Sequence, residues 1–103
     1  MTYRYTVSAA FEHEAVAVEW LEWLRAGHCQ EVLDGGALQV EVLRLDSMPC
    51  HFEVRYVFQD RAAFIAYENS VAPVLRQDGL ERFPESRGIR YARSTGSTVF
   101  DLG

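Results

Sequence analysis

The chain has 103 residues, 49% hydrophobic and 24% charged, with a formal net charge of −5. This is the size and balance of one folded domain, expected to span residues 1–103. Every strong base is an arginine, which excludes a Schiff-base lysine and the lysine of a phosphate loop, and the acidic excess argues against nucleic-acid binding, which needs a basic face to displace counterions.

Thr2 to Phe11 alternates, with Tyr3, Tyr5, Val7, Ala9 and Phe11 on one side and Thr2, Arg4, Thr6 and Ser8 on the other, so a strand with one buried face is predicted. From Glu14 the period changes. Ala17, Leu21, Leu24 and His28 recur at helical spacing, and Val16, Trp20 and Trp23 widen the stripe. Glu12, Glu14, Glu19 and Glu22 suit the N-terminal half of that helix through its dipole. Gly27 is expected to interrupt it, Gln30 to Leu33 to add a turn, and Asp34-Gly35-Gly36 to stop it.

Ala37 to Leu45 reads as a second strand in which Leu38, Val40 and Val42 alternate with Gln39 and Glu41; the phase slips at Leu43, which predicts a bulge. Asp46 to Cys50 is a connection of hairpin length. His51 to Phe58 is the third strand, with Phe52, Val54, Tyr56 and Phe58 opposite His51, Glu53, Arg55 and Val57. Asp60 suits the N-cap of a helix carrying Phe64, Tyr67, Glu68 and Val71. Pro73 either kinks that helix or opens another with Val74, Leu75, Leu80 and Phe83, and Pro84 ends it. Ile89 to Val99 is the last strand, in which Ile89, Tyr91, Arg93 and Thr95 share a face.

The order is βαββαβ, which predicts an α+β ferredoxin-like domain: a four-stranded antiparallel sheet with helices on one face. The other sheet face holds Arg4, Thr6, Ser8, Glu41, Glu53, Arg55 and either Arg93 or Arg90. Its mixed charges and unpaired edges suit a second copy, so a homodimer is expected; the plainer alternative is a monomer with a solvated face.

Tyr3-Arg4-Tyr5-Thr6-Val7, Glu19-Trp20-Leu21-Glu22-Trp23-Leu24 followed by His28 and Glu31-Val32-Leu33, and Phe52-Glu53-Val54-Arg55-Tyr56 together resemble a known family. Tyr67, Ala72-Pro73-Val74-Leu75-Arg76, Leu80-Glu81-Arg82-Phe83 and the strand with Arg93 continue the likeness over nearly the whole chain. The family is the small bacterial proteins of the domain of unknown function 4286, relatives of the dimeric α/β barrel group. The resemblance implies a ferredoxin-like fold and dimerisation. It implies no activity, since the wider group includes cofactor-independent monooxygenases, isomerases, haem enzymes and stress-response proteins.

His28 is the one residue nominated for catalysis, because it ends an apolar stripe carrying both tryptophans and is the recurrent histidine of the resemblance. The plainer alternative is a histidine that caps its helix or bonds at the core margin; Glu31 is the nearest carboxylate to partner it. If a ligand binds, Trp23 and Tyr67 are expected as apolar walls and Arg55 or Arg93 as the positive charge. The aromatics can equally be plain core.

His28-Cys29 and Cys50-His51 suggest a Cys₂His₂ metal site, but topology puts the pairs at opposite sheet ends, roughly 20 to 25 Å apart. A disulfide needs Cα atoms within about 7 Å, and zinc needs ligands within about 2.3 Å of one point. No metal, disulfide or cofactor is therefore expected, and His13 with His51, both read as exposed, makes at most an adventitious site. The aromatics of the third strand fall on the Val54 face, so the stacking platform of an RNA-recognition motif is missing. Arg82, Arg87, Arg90 and Arg93, interleaved with Glu81 and Glu85, read as a solvated edge.

Two cysteines and no apolar run of about 20 residues point to a cytoplasmic protein away from membranes. With no triad, metal cluster or carboxylate dyad, the functional expectation is a non-catalytic binding or assembly module for a small hydrophobic or anionic ligand. The alternative is a cofactor-independent monooxygenase or isomerase using His28 as general acid or base.

Overall fold

The alternating segments become strands because their apolar side has a helical layer to bury against. The computed structural model describes residues 1–46 and 48–103. Its elements run β1 (Tyr3–Phe11), α1 (Glu14–Trp23), a π-helical turn (Leu24–His28), α2 (Cys29–Asp34), β2 (Gln39–Arg44), β3 (His51–Phe58), α3 (Arg61–Ser70), α4 (Ala72–Arg82), a 3₁₀ turn (Glu85–Arg87) and β4 (Ile89–Ser97). The four strands lie in the order β2-β3-β1-β4, each pair antiparallel. This is the expected ferredoxin-like α+β domain, an open sheet with its helices on one side.

Register decides which side each strand residue takes. Tyr5 stands opposite Tyr56 and Thr95, and Val7 opposite Val54 and Arg93. The helix-covered face therefore includes Arg93, while Arg90, opposite Ala10, belongs to the bare face with Arg4, Thr6 and Ser8. β2 pairs without a bulge from Gln39↔Val57 to Arg44↔Phe52. The phase slip at Leu43 has a simpler cause: Leu43 is a half-buried apolar residue on the otherwise polar face, and Arg44 takes the core side, its guanidinium 4.8 Å from the Phe52 ring centroid. Of the Asp46 to Cys50 connection, Ser47 lies outside the described residues.

Two aromatic clusters close the ends of the core. Phe11, Trp20 and Phe52 meet at one end with centroids 5.2 to 6.0 Å apart. Phe64 packs on Tyr3, Tyr5 and Phe58 at 5.1 to 5.3 Å at the other. Asp60 caps α3 by accepting a 2.8 Å hydrogen bond from the Ala63 amide, and Pro73 sits in the first turn of a separate α4, where its missing N–H is harmless. No helix among the described residues is long and apolar enough to cross a membrane.

Candidate functional site

Between the two aromatic clusters the core is incompletely filled. A cavity of about 80 Å³ opens between α1, the π turn, α4 and the sheet. Tyr5, Val7 and Tyr56 form its sheet side, Trp20, Trp23 and Leu24 one wall, and Tyr67, Leu75 and Leu80 the other. His28, Arg76, Tyr91 and Arg93 bring polar atoms to it.

The first helix makes the cavity by failing to stay regular. Gly27 leaves the helical region (φ 177°, ψ −28°) as the π turn ends. Such turns relax the side-chain phase, which here brings His28 beside Trp23. The two rings stack with centroids 4.1 Å apart and planes 22° from parallel. Gly79 of α4 lets that helix approach the indole: a Cβ there would stand 3.1 Å from Trp23 Cη2. Among the described residues the His28 ring makes no side-chain hydrogen bond; the Glu31 carboxylate lies beside Gly27, and His28 does not cap α2. Burial lowers the His28 pKa to about 4, with the Asp78 carboxylate pulling weakly the other way. The imidazole is therefore neutral at pH 7 and offers one donor and one acceptor.

The phenols around the cavity are neutral donors as well. Burial pushes Tyr67 and Tyr91 up to about 12. Tyr56 is raised further still, by burial and then by the neighbouring Cys29. The Tyr91 hydroxyl donates to the Phe83 carbonyl at 2.7 Å, anchoring the edge strand to the end of α4. Arg76 donates to both Glu68 oxygens, at 2.9 and 3.1 Å.

Trp23, His28, Tyr67 and Arg93 thus line one cavity. Arg55 does not join them. It lies on the bare face, 2.7 Å from Glu53 and 3.8 Å from Glu41, because strand alternation sends it opposite to Tyr56. Arg76, Gly79 and Tyr91 went unnominated. Tyr91 shares the Arg93 alternation and was within reach of sequence reasoning; the Arg76–Glu68 pair joins two helices and leaves no local signal.

Among the described residues no three His, Cys, Asp or Glu side chains are grouped to hold a metal, and Cys29 and Cys50 are free thiols.

A family model described as Domain of unknown function (DUF4286) matches residues 2–89. No curated protein matches this chain. Among solved structures, a dimeric ferredoxin-like protein from an uncultured marine organism is 17% identical with a TM-score of 0.73, covering 98% of each chain. A mutant of SnoaB, a cofactor-independent oxygenase from Streptomyces nogalater, is 10% identical with a TM-score of 0.71, over 98% of this chain and 96% of that one. A dabb family protein with a ferredoxin-like fold from Mesorhizobium loti is 19% identical with a TM-score of 0.65, over 96% and 98%. At these identities the likeness is one of fold.

Proposed function

This chain belongs to the family described as Domain of unknown function (DUF4286), and from that premise we propose that it is a small-molecule-binding module whose site is the cavity beside His28. The observation that carries the reading is a neutral, half-buried His28 imidazole, stacked on Trp23 and bonded to no described side chain, on the wall of a largely apolar cavity. Its ring nitrogens keep free hydrogen-bonding capacity toward the cavity, and a ligand that bonds them gains orientation. Trp23 and Tyr67 serve as its walls and Arg93 as its charge; Arg55 has no part in it.

Catalysis is the second reading. It draws on the free His28 nitrogens and on the cofactor-independent oxygenase among the fold neighbours. A base works best with a pKa near the working pH, and His28, at about 4, sits far below it. Binding without turnover is therefore favoured, and it needs no cofactor. The free thiols fit a reducing compartment, and we place the protein in the cytoplasm.

We place the working unit as a homodimer, supported by the dimeric fold neighbour and by the polar face that the helices leave bare.

The test is a thermal-shift screen of small hydrophobic acids, quinol-like aromatics and nucleotides, followed by chromatography of each mixture. The expected result is a raised Tm with compact aromatics, no shift with nucleotides, an unchanged compound, and a response that falls at least fivefold in affinity in His28→Phe. Conversion of the compound that stops in His28→Phe favours the catalytic reading. If no small molecule shifts Tm, the cavity is a packing defect and the reading fails.

A further inference from the structure

A second hollow, of about 300 Å³, borders the cavity and shares three of its residues, Tyr5, Arg76 and Arg93. The cavity by itself holds only a few small groups, on the scale of ~15 Å³ for one water. Arg76 and Arg93 line both spaces, so the gap that a ligand spanning them needs lies at these two residues.

The charges at that gap do not cancel. Arg76 is committed to Glu68, which takes both of its hydrogen bonds from the same nitrogen, Nη2. Arg93 has no ion-pair partner among the described residues. Its position is set by the sheet, where it stands opposite Val7 on the helix-covered face. Arg76, Arg93 and Glu68 thus sum to one positive charge. The Ser94 and Thr95 residues of the edge strand complete the hollow's polar side.

Resting on the small-molecule reading above, we propose that the ligand is a compact aromatic or branched apolar carboxylate, its apolar group between the Trp20–Trp23 wall and the Tyr67–Leu75 wall and its single negative charge at Arg93 and Arg76. One unpaired guanidinium matches a monoanion; a phosphate dianion leaves an excess negative charge beside Glu68. Charge-assisted bonds of this kind are shorter and stronger than neutral ones, and a planar carboxylate suits the fork of Arg93. The far end of the molecule then lies beside His28, where a hydroxyl carried on the apolar group bonds the free imidazole nitrogen.

Isothermal titration of the intact protein at pH 7 with 3-phenylpropionate, its primary amide and phenyl phosphate tests this. We expect the acid to bind at least tenfold more tightly than the amide. Arg93→Gln, a change at an exposed position on an edge strand, should abolish that preference, and Arg93→Lys, which keeps the charge but loses the fork, should retain part of it. Equal binding of acid and amide leaves the cavity reading standing and overturns the carboxylate. A preference that survives in Arg93→Gln also overturns it, as does tighter binding of phenyl phosphate. If neither the acid nor the amide binds, this inference falls together with the reading it rests on.

Discussion

The chain carries two adjacent histidine–cysteine pairs, and the fold gives them opposite surroundings. His28-Cys29 closes the irregular turn of the first helix, with the ring stacked on Trp23 and the thiol near Tyr56. Cys50-His51 opens β3, with Cys50 in a left-handed conformation (φ 53°) next to the Glu14 carboxylate, and with His51 Nδ1 buried and bonded to no described atom. His51 is thus half-buried, not exposed as the sequence suggests. Burial pushes both thiols up, and at Cys50 Glu14 adds to it. Both cysteines are therefore poor nucleophiles. The difference lies in what surrounds each pair: the second rests on the filled aromatic cluster of Phe11, Trp20 and Phe52, the first beside a cavity. Identical residue types rest on a filled cluster in one place and border a cavity in the other because of packing alone.

The filled end gives the largest expected effect. Phe52 is 2% exposed, stacked among Phe11 and Trp20 and capped by Arg44. Phe52→Ala should lower stability by about 3–5 kcal/mol, because the cluster has no room to collapse into the void. Trp23→Ala, at a half-buried residue beside existing space, should lower it by less than ~2 kcal/mol. Urea midpoints of the two variants measure this. Equal losses would mean that the cavity end is packed as tightly as the other.

The pH dependence of His28 comes next in size. Its folded pKa, about 4, lies below the ordinary 6.5. Below pH 6.5 the unfolded chain takes up a proton that the folded chain refuses, so stability falls as pH drops from about 6.5 to 4 and levels off below. The loss reaches about 3 kcal/mol at ~1.4 kcal/mol per unit. The difference in unfolding free energy between the parent protein and His28→Phe, followed from pH 7.5 to 4.5, should narrow in favour of the variant. A constant difference would place the imidazole in water.

Much of this was legible before the structure, and the misses share a cause. Alternation identified β1 and β3 down to their faces, and Gly27, Asp60 and Pro84 marked interruption, cap and stop, because each signal is local. Leu43 misled because an apolar residue on an outward face mimics a change of phase. Arg93 was left between two faces until pairing with Val7 fixed it. Arg87 and Arg82 read as solvated edge and are so paired, with Glu19 and Asp78. The Gly79 contact with Trp23 joins helices far apart in sequence, and no period within α4 announces it.

The smallest effect concerns the two faces of the sheet, where Arg55 and Arg93 are the contrasting arginines. Arg93 has no ion-pair partner among the described residues and lies beside the cavity, whereas Arg55 already holds Glu53 at 2.7 Å and approaches Glu41 at 3.8 Å. The pair with Glu53 is incompletely screened, since the Glu53 side chain is 24% exposed and that of Arg55 43%. In an isolated monomer such a surface pair contributes ~0–1 kcal/mol, and Arg55→Gln should be nearly silent. In a homodimer joined through this face, a second sheet excludes water from the charges, and removing Arg55 leaves two carboxylates uncompensated where solvation is poorest. Arg55→Gln should then weaken association by about tenfold, equivalent to ~1.4 kcal/mol, with ligand affinity unchanged because the cavity lies across the sheet. Sedimentation of both proteins over micromolar concentrations separates the cases. A parent protein that stays monomeric removes the dimer, and a dimer indifferent to Arg55→Gln moves the interface to an edge strand, where backbone pairing needs no arginine.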